Sequence, residues 1–160
     1  MGPLSTMRRA VVIGAVTILL LAARPAVGHA SSAVDAYLAK YPGGQAISDN
    51  EISYDNGRFI VTLTRPPNTQ AAPDCPSDWF CFYERIGYGY PRGKLSDCGW
   101  QSLITYGWQD RVESVYYRFS RGKVEFRDYG TPIFSVGAGS PADSDVYPYR
   151  NRATEVYRYC

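Results

Sequence analysis

The residues of this 160-residue chain that could do chemistry are few: one histidine, four cysteines, three tryptophans and a scatter of carboxylates. The single histidine, His29, falls at the end of a stretch that reads as a leader, so no Ser-His, Cys-His or histidine-ligated zinc arrangement can be built in the body of the protein. Glu84, Asp97, Asp110, Glu113 and Asp128 could supply a glycosidase-type acid and base. Their spacing along a strand-rich chain does not fix the separations of roughly 5 or 9 Å that such pairs need. No nucleophile elbow, phosphate loop or zinc-helix motif occurs, and the chain reads as a non-enzyme with no cofactor. Cys75, Cys81, Cys98 and Cys160 are an even set, which in an exported chain reads as two disulfides. Of the three possible pairings, Cys81 with Cys98 and Cys75 with Cys160 is favoured, because a hairpin turning near Gly89-Tyr90 would set Cys81 opposite Cys98. Trp79, Trp100 and Trp108 belong either to a β core or to a sugar-stacking platform.

Export is itself an expectation from the first thirty residues. Arg8 and Arg9 precede an uncharged run from Ala10 to Ala23, and small residues follow Arg24-Pro25 through Gly28 and Ala30, the three parts of a secretory signal. The apolar run is too short to span a bilayer as a helix. With residues 1–30 removed, the formal charge of +2 becomes −1, since Arg8, Arg9 and Arg24 leave with the signal and 14 basic residues face 15 acidic ones. Such a chain lacks the electrostatic footprint of a nucleic-acid or anionic-membrane binder. The expected protein is extracellular, with no nucleic acid and no membrane as partner.

The elements that must position these residues follow from a repeat. Asp110-Arg111-Val112-Glu113-Ser114-Val115-Tyr116-Tyr117 returns about forty residues later as Asn151-Arg152-Ala153-Thr154-Glu155-Val156-Tyr157-Arg158. Phe82-Tyr83-Glu84-Arg85 is loosely echoed by Glu125-Phe126-Arg127-Asp128. Two copies of one aromatic, β-rich, four-stranded element would span 75–160. Residues 65–74, with three prolines, read as an extended linker. Before it, 31–64 holds a short helix through Tyr41, opened by Ser32 and Asp35 and ended by Pro42-Gly43-Gly44. A hairpin follows, turning at Asp55-Asn56-Gly57, with Ile52 opposite Val61 and Tyr54 opposite Phe59. The expected class is thus all-β: a two-unit sandwich preceded by a small helix-hairpin unit that docks on it, adds strands to it, or stays partly free. Paired tyrosines two apart are read mainly as core and turn locks.

Cys75-Pro76-Ser77-Asp78-Trp79-Phe80-Cys81-Phe82-Tyr83-Glu84, the glycine-tyrosine segment after it, Asp97-Cys98 and Asp110-Arg111-Val112-Glu113-Ser114-Val115 together resemble secreted proteins of the Streptomyces metalloproteinase inhibitor family. The resemblance covers about 75–160 and weakens in the second repeat. It implies a βγ-crystallin-like sandwich of two Greek keys and, for some members, inhibition of thermolysin-like metalloproteases. For calcium-binding members of that fold it implies two adjacent Asn or Asp, two variable residues, then Ser or Thr and Ser. Residues 109–114 and 150–155 each keep part of this pattern, which makes Asp110, Ser114, Asn151 and Thr154 partial calcium candidates. The alternative needs no metal: Asp110 and Asn151 hydrogen-bond the turn entering a strand.

The functional expectation is a secreted peptidase inhibitor whose partner is an extracellular metalloprotease. The inhibitory segment is expected in Ile133-Phe134, within the irregular stretch 130–149, ahead of the glycine-tyrosine loop 86–94. The alternative is a glycan- or cell-wall-binding module, or a structural, calcium-linked or antimicrobial crystallin-like protein.

Overall fold

The computed structural model describes Gly2, residues 32–67 and residues 73–160. Apart from Gly2, the expected signal over 1–30 lies outside the described residues, as does the middle of the expected linker. Helix α1 is Ser32–Lys40, and Tyr41 closes it by donating its amide to the Tyr37 carbonyl at 2.8 Å. The strands are β1 (Gln45–Ala46), β2 (Glu51–Tyr54), β3 (Phe59–Thr62), β4 (Phe80–Arg85), β5 (Gly89–Leu95), β6 (Gly99–Ser102), β7 (Ser114–Tyr117), β8 (Lys123–Asp128), β9 (Thr131–Gly137), β10 (Ala142–Asp143) and β11 (Glu155–Tyr159). They form two antiparallel sheets, one ordered β1-β2-β3-β5-β4-β7-β10 and the other β6-β11-β8-β9. The expected all-β class is therefore what the chain adopts.

The repeat appears as strand exchange. Strands β4 to β7 form one unit and β8 to β11 the other, and each unit's third strand leaves its own sheet: β6 pairs with β11, and β10 pairs with β7. Neither unit can close its sheet without the other. At the seam the exchange is reciprocal. The Asp110 amide donates to the Ala153 carbonyl at 3.0 Å and the Asn151 amide to the Val112 carbonyl at 2.9 Å, both residues being left-handed, with φ of 57° and 55°.

Between the sheets lies one aromatic core. Phe59, Phe80, Phe82, Trp108 and Phe126 are fully buried, and Phe82 touches Phe59, Trp108 and Phe126 at ring-centre distances of 5.9, 5.0 and 6.3 Å. Gly93 makes room for them, since a Cβ there would stand 2.4 Å from the Phe82 ring. Each such ring contributes roughly 1.5–3 kcal/mol by leaving water. Phe59 comes from the preceding hairpin, which has the expected register, Ile52 opposite Val61 and Tyr54 opposite Phe59. Strand β3 continues the larger sheet by pairing with β5, so of the three arrangements open to the small unit it takes the one that adds strands.

Two expectations are corrected. The disulfides are Cys75–Cys81 and Cys98–Cys160, not Cys81 with Cys98 and Cys75 with Cys160. The first hairpin turns at Ile86–Tyr88, earlier than Gly89-Tyr90, so Lys94 rather than Cys98 faces Cys81. Cys98 sits beside the start of β6, and β6 pairs with the terminal strand β11, which brings Cys160 to it. The second correction concerns 130–149, which is not irregular throughout: it contains β9 and β10, with Ile133 and Phe134 inside β9.

Candidate functional site

A protein that blocks an enzyme without catalysis needs a rigid base and a protruding segment. The base is built by arginines that sequence reasoning did not single out. Arg111 forks onto Glu84, Nε to Oε1 at 3.1 Å and Nη2 to Oε2 at 3.0 Å, and its Nη1 donates to the Gly107 carbonyl at 2.8 Å and the Tyr37 hydroxyl at 3.1 Å. Its guanidinium also lies over Trp108 and Tyr41, at 4.7 and 4.6 Å, tying helix α1 to the sandwich. Arg92 is nearly inaccessible and joins the hairpin unit to residue 74: Nη1 donates to the Asp74 carboxylate at 2.9 Å and Nη2 to the Thr62 hydroxyl at 2.9 Å. The signal that could have found Arg111 was its place inside the repeated motif; Arg92 had none.

The carboxylates considered for catalysis are spread over separate partners. Glu84 is taken by Arg111, Asp97 by Arg58 and Asp128 by Arg152, while Glu113 receives the side-chain amide of Asn151 and the backbone amide of Ile86. Of the calcium candidates, the two hydroxyls are buried and used by the fold. Ser114 Oγ accepts from the Tyr88 amide at 3.0 Å and donates to the Arg85 carbonyl at 2.7 Å; Thr154 Oγ1 accepts from the Tyr129 amide at 2.8 Å. Each hydroxyl thus holds the first hairpin of its own unit. Asp110 and Asn151 are exposed at the seam, and among the described residues no cluster of three His, Cys, Asp or Glu is placed for a metal.

The protruding segment is clearest at the β4–β5 tip. Ile86 is 51% exposed, yet the turn beneath it is pinned from three directions. The Ile86 amide donates to Glu113 Oε2 at 3.2 Å, the Gly87 amide to the Ser144 carbonyl at 2.8 Å, and the Tyr88 amide to Ser114. The corresponding β8–β9 tip exposes Tyr129, whose amide is held by Thr154. Ile133 and Phe134 stand differently. Phe134 is stacked on Phe126 at 4.6 Å and on Tyr149 at 6.2 Å, and a bulge opposite the Phe126-Arg127 step leaves Ile133 without a cross-strand partner. Both pack against the core rim.

The tryptophans divide. Trp108 is core, Trp79 is half-buried under Lys94, whose Nζ lies 5.1 Å from its ring, and Trp100 is exposed on the outer face of the smaller sheet.

The described residues thus form a two-sheet β scaffold whose hairpin tips are pinned from beneath. The model of peptidase inhibitor family I36 matches residues 68–130, from the segment before Cys75 through β8 to the tip of the second hairpin. This bears out the resemblance to the Streptomyces metalloproteinase inhibitor family. It supports a peptidase-inhibitor-like, non-enzymatic role with a protease as partner. No curated protein and no solved structure matches the chain. No helix among the described residues is long and apolar enough to cross a membrane.

Proposed function

We propose that this protein is a secreted inhibitor of thermolysin-like metalloproteases, acting by insertion of a preorganised hairpin tip into the enzyme's cleft. The observation that carries the reading is the inhibitor-family match over 68–130, which spans the better-anchored of the two tips. Two disulfides and a signal-like leader support an extracellular setting. Such clefts take a bulky apolar side chain just after the scissile bond. Ile86 offers one on a backbone already held by three hydrogen bonds, so little ordering remains to be done on binding. The Ile133-Phe134 run is the second candidate, offered along an edge strand. The strand exchange between units supports the crystallin-like, paired-key reading of the sandwich.

The test is inhibition of a thermolysin-like enzyme, with serine and cysteine proteases as comparison. Inhibition confined to the metalloprotease, weakened roughly thirtyfold by Ile86→Ala, is the expected result for a hot-spot anchor. A purified, folded protein that leaves several metalloproteases untouched at micromolar concentration rejects the reading.

A further inference from the structure

The outer faces of the two sheets differ in a way that inhibition does not use. On the larger sheet, the side chains of Cys81 and Tyr83 point away from the core and are nonetheless fully buried. The segment carrying Cys75 and Trp79 lies over them, together with Tyr88, Tyr90 and Tyr116, and the Cys75–Cys81 disulfide fastens that cover. The same positions of the second unit have no such cover among the described residues. Tyr157, the repeat counterpart of Tyr116, is only partly buried, Tyr159 is 39% exposed, and Trp100, directly opposite Tyr157 across the β6–β11 pair, is 59% exposed.

These three residues share the outer face of the smaller sheet, with the Tyr157 and Tyr159 rings tilted by 54° to each other. Tyr157 and Tyr159 project from the same side of β11 with ring centres 4.6 Å apart, and alternate residues Val156 and Arg158 point inward. Trp100 is held in place, since its Nε1 donates to Glu155 Oε2 at 2.9 Å. The Cys98–Cys160 bridge clamps the ends of the two strands that carry them. Around them, Arg127 pairs with Glu125 at 2.8 Å and lies 6.0 Å from the Tyr157 ring centre, while Lys123 Nζ is 4.9 Å from that of Tyr159. Lys123 and Arg127 balance Glu125 and Glu155, so the face has no net charge to offer an ion.

We infer that this face binds an uncharged polysaccharide, pyranose rings lying on Trp100, Tyr157 and Tyr159 with their hydroxyls reaching the carboxylates and guanidinium beside them. Aromatic rings offer apolar area to the C–H faces of a sugar, and Trp100, already held by Glu155, does so at small entropic cost. The paired charges around them supply both acceptors and donors, the set a polyol needs. A second copy of the chain is the lesser occupant. Four strands spaced about 4.8 Å apart and about five residues long present only roughly 300 Å², against about 800 Å² per partner in a stable interface.

The test is cosedimentation of the purified protein with insoluble chitin, cellulose and β-1,3-glucan, with sedimentation velocity on the protein alone. Retention on at least one polymer is expected, reversed by soluble oligosaccharides of that polymer and reduced roughly tenfold or more by Trp100→Ala or Tyr159→Ala, as loss of a stacked ring implies. Tyr147→Ala, which removes an exposed ring elsewhere, should leave retention unchanged. Protease inhibition by Trp100→Ala should equal that of the parent, so the two activities fail separately. Absence of retention on all three polymers, or undiminished retention of folded Trp100→Ala and Tyr159→Ala, overturns the inference. Dimerisation that Trp100→Ala abolishes assigns the face to a second copy and overturns it as well.

Discussion

Ser114 shows how a single side chain can decide between a ligand site and a structural lock. Its hydroxyl is enclosed and satisfied on both sides, by the Tyr88 amide and the Arg85 carbonyl, so removing it takes away the partner of the part-buried Tyr88 amide. Ser114→Ala is expected to cost about 1–3 kcal/mol in denaturant unfolding. It should also loosen the turn under Ile86, weakening inhibition with no change in the Ile86 side chain itself. Tyrosines supply a second residue-scale prediction. Burial raises the hydroxyls of Tyr54, Tyr83 and Tyr90 above the ordinary 10.0, that of Tyr54 to about 12. Tyr83 and Tyr90 both donate to Asp74. A group that holds its proton more tightly when folded stabilises the fold fully below its unfolded pKa and loses that contribution as pH rises through the folded one. The melting temperature should therefore be insensitive to these groups below about pH 10 and fall above it. Tyr83→Phe should not reproduce the full fall at that site, which a pH series of melting curves would show.

At the scale of elements, the disulfides close very different loops. Cys75 and Cys81 are 6 residues apart, Cys98 and Cys160 are 62 apart. Loop-closure entropy then assigns about 2 kcal/mol to the first and about 4 kcal/mol to the second. Replacing both cysteines of the long bridge by serine should lower stability more than replacing those of the short one, a ranking that equal melting temperatures for the two double variants would contradict. Strand β9 gives the contrasting element. Phe134 reads as an exposed apolar candidate in a loop, but pairing to β8 turns its ring onto Phe126. Phe134→Ala should accordingly cost about 2 kcal/mol of stability, with less effect on inhibition than Ile86→Ala.

For the whole molecule, the small N-terminal unit is not separable at the level of packing. Val34, Ile52, Phe59 and Val61 are fully buried in the same cluster as Phe82, Leu95 and Trp108. Cleavage within 65–74 is expected to leave two fragments that elute together under native conditions and separate only in denaturant. The segment 73–160 expressed alone should aggregate, since it would expose the β5 edge and the ring faces that Phe59 covers. A monomeric, cooperatively melting 73–160 fragment would contradict this shared-core reading.

What the residues determined by themselves were the features set by local rules. Asp55-Asn56-Gly57 can only turn tightly, so the register of Ile52 with Val61 was legible, and so was the repeat that becomes two interlocked units. The four cysteines in two bridges and the resemblance carried by 75–117 were equally readable. What tertiary structure decided were the properties that depend on which strand lies beside which. Cys98 meets Cys160 because β6 crosses to the other unit's sheet, a long-range pairing that no spacing between them records. Exposure followed the same rule. Three tryptophans of equal hydrophobicity became core, half-covered and open according to what packed over each, and only Trp100 was left facing solvent because its sheet lacks the cover that Cys75 ties over the other.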